Sequence, residues 1–197
     1  MESAMRVSRE QVEENRKTLL TAAGRLFRAR GFDAVSVAEV MKEAGLTHGG
    51  FYGYFKNKDD LIGQAMAAVF ETAETSPQEP ERLLAQYLSP QHRDDPGRGC
   101  PMAALAGETI RQPGGVRAEM TAGLRRQLAA LAGSLPGADE AARHRAAVGI
   151  WSGMVGALML SRMSDDPALS DDILSEARAW LTEALPEALP GGAAQRT

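Results

Sequence analysis

The amino-acid sequence predicts an all-α protein: an N-terminal three-helix unit containing a helix-turn-helix, followed by a larger helical domain. Three observations lead there. Ala, Leu, Glu and Arg are common while aromatics make up only 5% of the 197 residues, a balance that favours helix over strand. Apolar residues recur at helical spacing, first in Leu19, Ala22, Ala23, Leu26 and Phe27. No segment alternates with the period of two that a half-buried strand needs, and there is no internal repeat.

Each element can be justified in order. The first helix is expected over Arg9–Arg30, with Gly31 as the residue after it that can take positive φ. Ser36 can cap the second helix, and Glu39 three residues later completes a capping box. Val35 and Val40 add a hydrophobic staple around that cap. This helix is expected over Val37–Ala44 and ends at Gly45. Thr47 can cap a third helix, His48–Phe55. Asn57 can cap a fourth that runs to about Thr72, with Asp59 and Asp60 in the first turn, where carboxylates suit the helix dipole. A polar break follows at Ser76–Pro80. Further helices are expected over Glu81–Leu88, Pro101–Arg111, Val116–Leu135, Asp139–Met163 and Asp171–Leu185, with Ser89–Gly99 as a loop and Gln112–Gly115 as a turn. The tail from Pro190 is expected to fray. The implied division is residues 1–62, 63–189 and a flexible 190–197.

Composition bounds the function. An apolar fraction of 44% is enough for a packed core and too high for a disordered chain. A single Cys excludes an internal disulfide and suits a reducing cytoplasm. The polar N-terminus carries no secretory pattern, and the longest apolar stretch, Val148–Leu160, is interrupted by three glycines and a serine, so no membrane association is expected. The net charge of −4 is uneven: residues 1–62 hold ten basic and nine acidic side chains, the remainder twelve and seventeen. The first third is the less acidic part, but its charge alone is weak evidence for nucleic acid.

The strongest signal is two short helices around a tight glycine turn, Val37–Ala44, Gly45 and Thr47–Phe55. Gly49, Gly50 and Gly53 in the second of them each cost roughly 1 kcal/mol relative to Ala in a helix interior. A helix kept only for packing would rarely carry three, whereas close approach of its backbone to another surface explains them. The run "FRARGFDAVSVAEVMKEAGLTHGGFYGYFKNKDDL", Phe27 to Leu61, resembles the DNA-binding signature of the TetR family of bacterial transcriptional regulators. The resemblance covers about the first 70 residues in detail and the rest only in length and helical character.

That resemblance implies a sequence-specific regulator, in the simplest case a repressor that a small-molecule effector of unknown identity releases from a palindromic double-stranded DNA operator. It also implies roles by position. Thr47, His48, Gly49 and Gly50 would face base edges in the major groove. Tyr52, Tyr54 and Lys58 would meet phosphates, and Ser36 would present the second helix's N-terminus to the backbone. Phe51 and Phe55 read as core. With glycines at 49 and 50, direct readout falls on His48, or on DNA shape and an N-terminal arm carrying Arg6 and Arg9.

The remainder would bind the effector and form the homodimer. Gly149, Gly153 and Gly156, with Ser152, give Asp139–Met163 a face of small residues, and Asp171–Leu185 is amphipathic. An apolar pocket is expected from Met102, Leu105, Ala106, Ile110, Leu124, Leu128, Trp151, Met154 and Met159, although each also reads as ordinary core. Cys100 precedes Pro101 and so falls at a helix N-cap, near Arg98, where a thiol can be activated. The "G-C" before this helix resembles a TetR subgroup that includes electrophile sensors, so Cys100 is a redox or electrophile candidate beside the reading as an inert thiol. A domain responding to a protein partner is a further alternative. No cofactor or metal is expected: the three histidines, 48, 92 and 144, are far apart, and no nucleophile elbow or phosphate loop is present. An enzyme is not expected.

Overall fold

The computed structural model describes residues 8–72, 79–137 and 139–187, and every regular element among them is helical. Helix α1, Arg9–Arg30, begins at Ser8, whose Oγ accepts from the Gln11 amide at 3.1 Å, and closes at Gly31 with φ 89°. Helix α2, Val37–Glu43, has both halves of its capping box: Glu39 N–H donates to Ser36 Oγ at 3.2 Å and Ser36 N–H to Glu39 Oε2 at 2.8 Å. The backbone amide of Ser36, reinforced by Arg30, holds the Glu39 carboxyl down at about 2. Val35 and Val40 are both buried under this cap.

The next segment departs from expectation. Instead of an α-helix to Phe55, His48–Gly53 form a 3₁₀ helix. Its three glycines contribute little to holding an α-turn. Helix α3, Lys58–Thr72, is capped by Asn57, whose Oδ1 accepts from the Asp60 amide at 2.8 Å. Helices α4, Pro80–Tyr87, and α5, Pro90–Asp94, follow. The second lies in the expected loop: Ser89 Oγ accepts from the His92 amide at 3.2 Å and Pro90 occupies the first helical position.

Helices α6, Pro101–Thr109, α7, Gly114–Ser134, and α8, Glu140–Met163, lie close to their expected bounds. Helix α9, Pro167–Glu187, starts one turn earlier than expected, because Asp166 caps it and Pro167 opens it. Arg6 and the tail from Pro190 lie outside the described residues.

Two cores form. The first gathers Phe27, Phe32, Val40, Phe51, Phe55, Leu61 and Met66 from α1–α3, but Met102, Leu105, Val116 and Met120 of α6 and α7 belong to it too. The division at residue 62 therefore falls inside a helix that both halves pack against. The second core joins α4, α7, α8 and α9 through Leu84, Leu131, Ile150, Met154, Leu158, Leu174 and Leu181. Helix α8, which contains an 18-residue window of mean hydropathy 1.3, is long and apolar enough to cross a bilayer by composition alone, which the shorter stretch read from the sequence does not reveal. Here it is packed by α6, α7 and α9.

The seam between α3 and α7 depends on Gly123. Phe70 lies where a side chain at 123 would begin, so only hydrogen fits. Gly123→Ala is expected to displace the buried Phe70 ring and cost about 1–3 kcal/mol through overpacking. A lower urea midpoint by circular dichroism checks this; an unchanged midpoint would mean that the seam relaxes freely.

Candidate functional site

Two surfaces carry functional chemistry. The first is the helix-turn-helix. Gly45, φ 70°, turns the chain after α2, and the Leu46 amide donates to the Met41 carbonyl at 2.9 Å. Phe51 and Phe55 anchor the 3₁₀ helix, their rings 5.7 Å apart in the first core. Much of the rest of the segment is bare. Thr47, His48 and Gly49 are exposed, Tyr52 is 79% exposed, and a Cβ built on Gly49 or Gly53 would meet nothing within 4 Å. The Thr47 hydroxyl makes no cap hydrogen bond. Lys58, half-buried, opens α3 beside this face. Tyr54 is tethered instead: its hydroxyl accepts from Asn15 Nδ2 on α1 at 3.1 Å.

The second surface is a cavity of about 510 Å³ lined by α1, the end of α3, and α4 to α8. Val69, Phe70 and Leu83 give it an apolar wall, and Tyr87, His92 and Trp151 an aromatic one. The Tyr87 ring lies 4.6 Å from His92 and 5.7 Å from Trp151, edge-on to both. The polar lining includes Arg28, Arg98 and Cys100 but no carboxylate among the described residues. Arg28 Nη1 donates to the Gly99 carbonyl at 3.0 Å. Burial pulls its guanidinium pKa down, opposed by Cys100 and Asp95.

His92 is held as one tautomer. Its Nδ1–H donates to the Tyr87 carbonyl at 2.8 Å and its Nε2 accepts from the Cys100 amide at 2.9 Å. Burial lowers its pKa, and protonating Nε2 would set two donors against each other. Tyr87 and Trp151 are 7% exposed each; Trp151 Nε1 has no hydrogen-bond partner, and the Tyr87 hydroxyl has no oxygen or nitrogen partner, only the Cys100 thiol beside it. Burial, with the Cys100 thiol beside it, drives the Tyr87 pKa well above the ordinary phenol range. Arg162 donates to the carbonyls of His92 at 2.6 Å and Arg93 at 3.0 Å, leaving its Nη1 buried and unpaired. Such orphan donors cost about 1–3 kcal/mol each.

Comparison with known proteins places this architecture. Residues 19–65 match the family model "Bacterial regulatory proteins, tetR family", and residues 81–176 match "Tetracyclin repressor-like, C-terminal domain". The chain belongs to the TetR family. Curated relatives include the HTH-type transcriptional regulator AcrR of Shigella flexneri, 37% identical over 59 residues, which are 30% of this chain and 27% of AcrR. TtgR of Pseudomonas putida is 32% identical over 34% of this chain and 32% of its own. The chain therefore spans about a third or less of these relatives' lengths. An uncharacterized HTH-type regulator of Mycobacterium tuberculosis is 26% identical over 87% of this chain and 96% of its own. Among solved structures, reduced E. coli NemR superposes with a TM-score of 0.67 at 21% identity, over 86% of this chain and 96% of that one. The fold is thus shared with TetR-family structures along most of the chain.

In this TetR-family chain the residues expected at base edges lie together with Tyr52 on one short segment, Thr47, His48 and Gly49 exposed and Gly50 half-buried. Ser36 is exposed at the α2 N-terminus, its hydroxyl also donating to Glu39. Arg9 is the first residue of α1 rather than part of an arm. The expected pocket residues scatter. Of the nine, only Trp151 lines the cavity. Met102 and Leu105 belong to the first core and Met154 to the second. Ala106, Leu124 and Leu128 are half-buried between helices, while Ile110 and Met159 are 69% and 40% exposed. Cys100, expected as an N-cap, is one, and it lies in the cavity wall. Gly153 does not belong to a free small-residue face, because Leu181 of α9 lies 3.1 Å from where its Cβ would be. Arg28, Tyr87, His92 and Arg162 escaped the sequence reading. Only the Ser-Pro start of α5 pointed toward them.

The His92 clip predicts a pH effect with a definite sign. A histidine whose folded pKa is depressed binds fewer protons folded than unfolded, so its contribution is present above the ordinary value of about 6.5 and lost as pH falls through the folded one. Between about pH 7.5 and 5.5, wild type should lose more of its urea midpoint than His92→Gln. Parallel losses would assign the effect elsewhere.

Proposed function

We propose that this protein is a cytoplasmic, homodimeric transcriptional repressor that binds a palindromic DNA operator through the helix-turn-helix and is released by a small molecule in the second domain. The observation that carries this is the exposure of the recognition segment: Thr47, His48, Gly49 and Tyr52 are open to solvent on a segment anchored by buried Phe51 and Phe55. Glycines that meet nothing within the chain allow a duplex to approach closely. Tyr52 and Lys58 serve phosphates and His48 a base edge; Tyr54, bonded to Asn15, ties the recognition segment to α1 and keeps its own proton for a phosphate.

With an operator selected from a randomised DNA library, Tyr52→Phe and Lys58→Ala should weaken binding to all sequences alike. Lys58→Ala should also lower the salt slope by about one unit. His48→Ala should instead relax one position per half-site, by about 1–3 kcal/mol. A changed base preference in either of the first two, or an unchanged profile in the third, would overturn those roles.

The dimer reading is supported by an unpartnered stripe on α8. Val148, Gly149, Ser152, Gly156, Met159 and Met163 share one helical face; Met163 is 76% exposed, and Cβ atoms at Gly149 and Gly156 would meet nothing within 4 Å. Trp180 of α9 is 67% exposed as well. An operator with two-fold symmetry calls for such a partner surface. Gly156→Arg should convert a dimer to a monomer in sedimentation velocity while leaving helix content intact. A wild type that sediments as a monomer at micromolar concentration would refute the interface.

A second reading is supported by one observation: Cys100 is both the cap of α6 and part of the cavity wall. Modification of the thiol, rather than reversible binding, would then release DNA. Loss of operator binding with a maleimide in wild type but not in Cys100→Ser separates the two.

A further inference from the structure

The cavity between α1, α4, α6 and α8 has an unusual polar balance. Two residues of its wall carry buried donors with no oxygen or nitrogen acceptor: the Tyr87 hydroxyl, which has only the Cys100 thiol beside it, and Trp151 Nε1–H. Trp151 can only donate, and its ring lies 5.7 Å from that of Tyr87. A third orphan, Arg162 Nη1, sits beside His92 and Gly99, both of which line the cavity. His92 offers nothing further, since both ring nitrogens are engaged. Two more cations line the space, Arg28 and the largely exposed Arg98; no Asp or Glu among the described residues lines it, but Asp95 lies just outside, 3.8 Å from Arg98 and close enough to act on Arg28. Neither Arg28 nor Arg162 is in a salt bridge with any described residue. The N-terminus of α6, whose cap makes no side-chain hydrogen bond, opens on the same wall and adds a partial positive charge. Val69, Phe70 and Leu83 add an apolar surface to the same cavity.

From this juxtaposition we infer that the cavity is a binding site for an apolar organic acid, its carboxylate accepting from Tyr87 and Trp151 in the field of Arg28 and Arg162, and its hydrocarbon body lying on Val69, Phe70 and Leu83. The inference deepens the effector reading above and rests on it. The chemistry selects the class. Donors without a strong acceptor favour an acceptor-only group, and a carboxylate is one. A neutral amide supplies an acceptor but brings two donors into a cluster that already lacks acceptors. A hydrocarbon leaves both orphans unsatisfied. A cation would meet the Arg28 guanidinium and the same donors. The volume of about 510 Å³ accommodates one such molecule.

The test uses the full chain and four acids, benzoate, 4-phenylbutyrate, octanoate and 2-naphthoate, each paired with its primary amide, in titration calorimetry. At least one acid is expected to bind about tenfold or more tightly than its amide, the range of a charge-assisted hydrogen bond. Tyr87→Phe, which removes only the hydroxyl, should weaken that acid by about fivefold or more while leaving the circular dichroism spectrum unchanged. In ¹⁵N-labelled wild type the indole resonance of Trp151 should move on titration, and that of exposed Trp180 should not. Three results would each overturn the proposal: no acid binding better than its amide, equal affinity in Tyr87→Phe, or a stationary Trp151 indole. The regulatory reading fails separately. An acid that binds with these signatures but leaves the selected operator bound refutes release while the site stands. An operator released only by other compounds, with all four acids inert, refutes the site while the regulator stands.

Discussion

Helix α6 is bolted to the DNA-binding half at both ends, and the rest of the structure is organised around that clamp. At its N-terminus Arg28 of α1 donates to the Gly99 carbonyl at 3.0 Å. At its C-terminus the Glu108 carboxylate accepts from the Phe32 amide at 2.7 Å. The second bond is possible only because residue 31 is glycine: its φ is 89°, and the Glu108 carboxylate occupies the space a side chain would take. Both bonds join a charged group to backbone, the stronger class of hydrogen bond. They fix the turn that leads to the capping box of α2 and hence the pose of the 3₁₀ helix. The same helix presents Met102 and Leu105 to the first core and Ala103 to the second. The two halves are not separable bodies joined by a linker.

The helices were legible in the sequence wherever a local signal existed. Gly31, Ser36 with Glu39, Asn57, Pro101 and Asp139 all mark ends that the structure places within a residue or two. The 3₁₀ helix was missed because a capping Thr and helical spacing look alike whichever ladder follows, and glycines at 49, 50 and 53 then weaken the α form. Helix α5 was missed because five residues carry no periodicity; only Ser89-Pro90 announces it. These failures share a cause, which is that short elements are decided by what they pack on rather than by their own residues.

The two candidate sites differ in legibility for a physical reason. The helix-turn-helix is local, so twenty consecutive residues near Ser36–Phe55 display its whole logic and a family signature can be written for it. The cavity is assembled from seven helices spanning Arg28 to Trp151. Apolarity marked Trp151, but apolar residues are core far more often than lining, and Met154 and Leu105 were buried elsewhere. The informative residues were the polar ones, Tyr87, His92 and Arg162. Their significance lies in which hydrogen bonds are made and which are not, and no single sequence displays that.

In the proposed repressor the cavity and the clamp are one device. Gly99 accepts from Arg28, the next amide donates to His92, and the thiol of that same residue lies against Tyr87. A group entering among the orphan donors therefore competes for Arg28 at the point where Arg28 holds α6 to α1. Typical coupling energies between sites are about 1–3 kcal/mol. One hydrogen bond to a charged group is worth about 1.5–3 kcal/mol. Redirecting a single guanidinium contact from the Gly99 carbonyl to a ligand oxygen is thus of sufficient size, without any unfolding or large domain movement. The geometry of a two-fold operator then amplifies it. Recognition elements on two subunits must span half-sites about 34–36 Å apart, or a multiple of that. A tilt of α1 about its loosened end is transmitted through Phe32 to α2 in each subunit, and the two displacements oppose each other across the dimer axis.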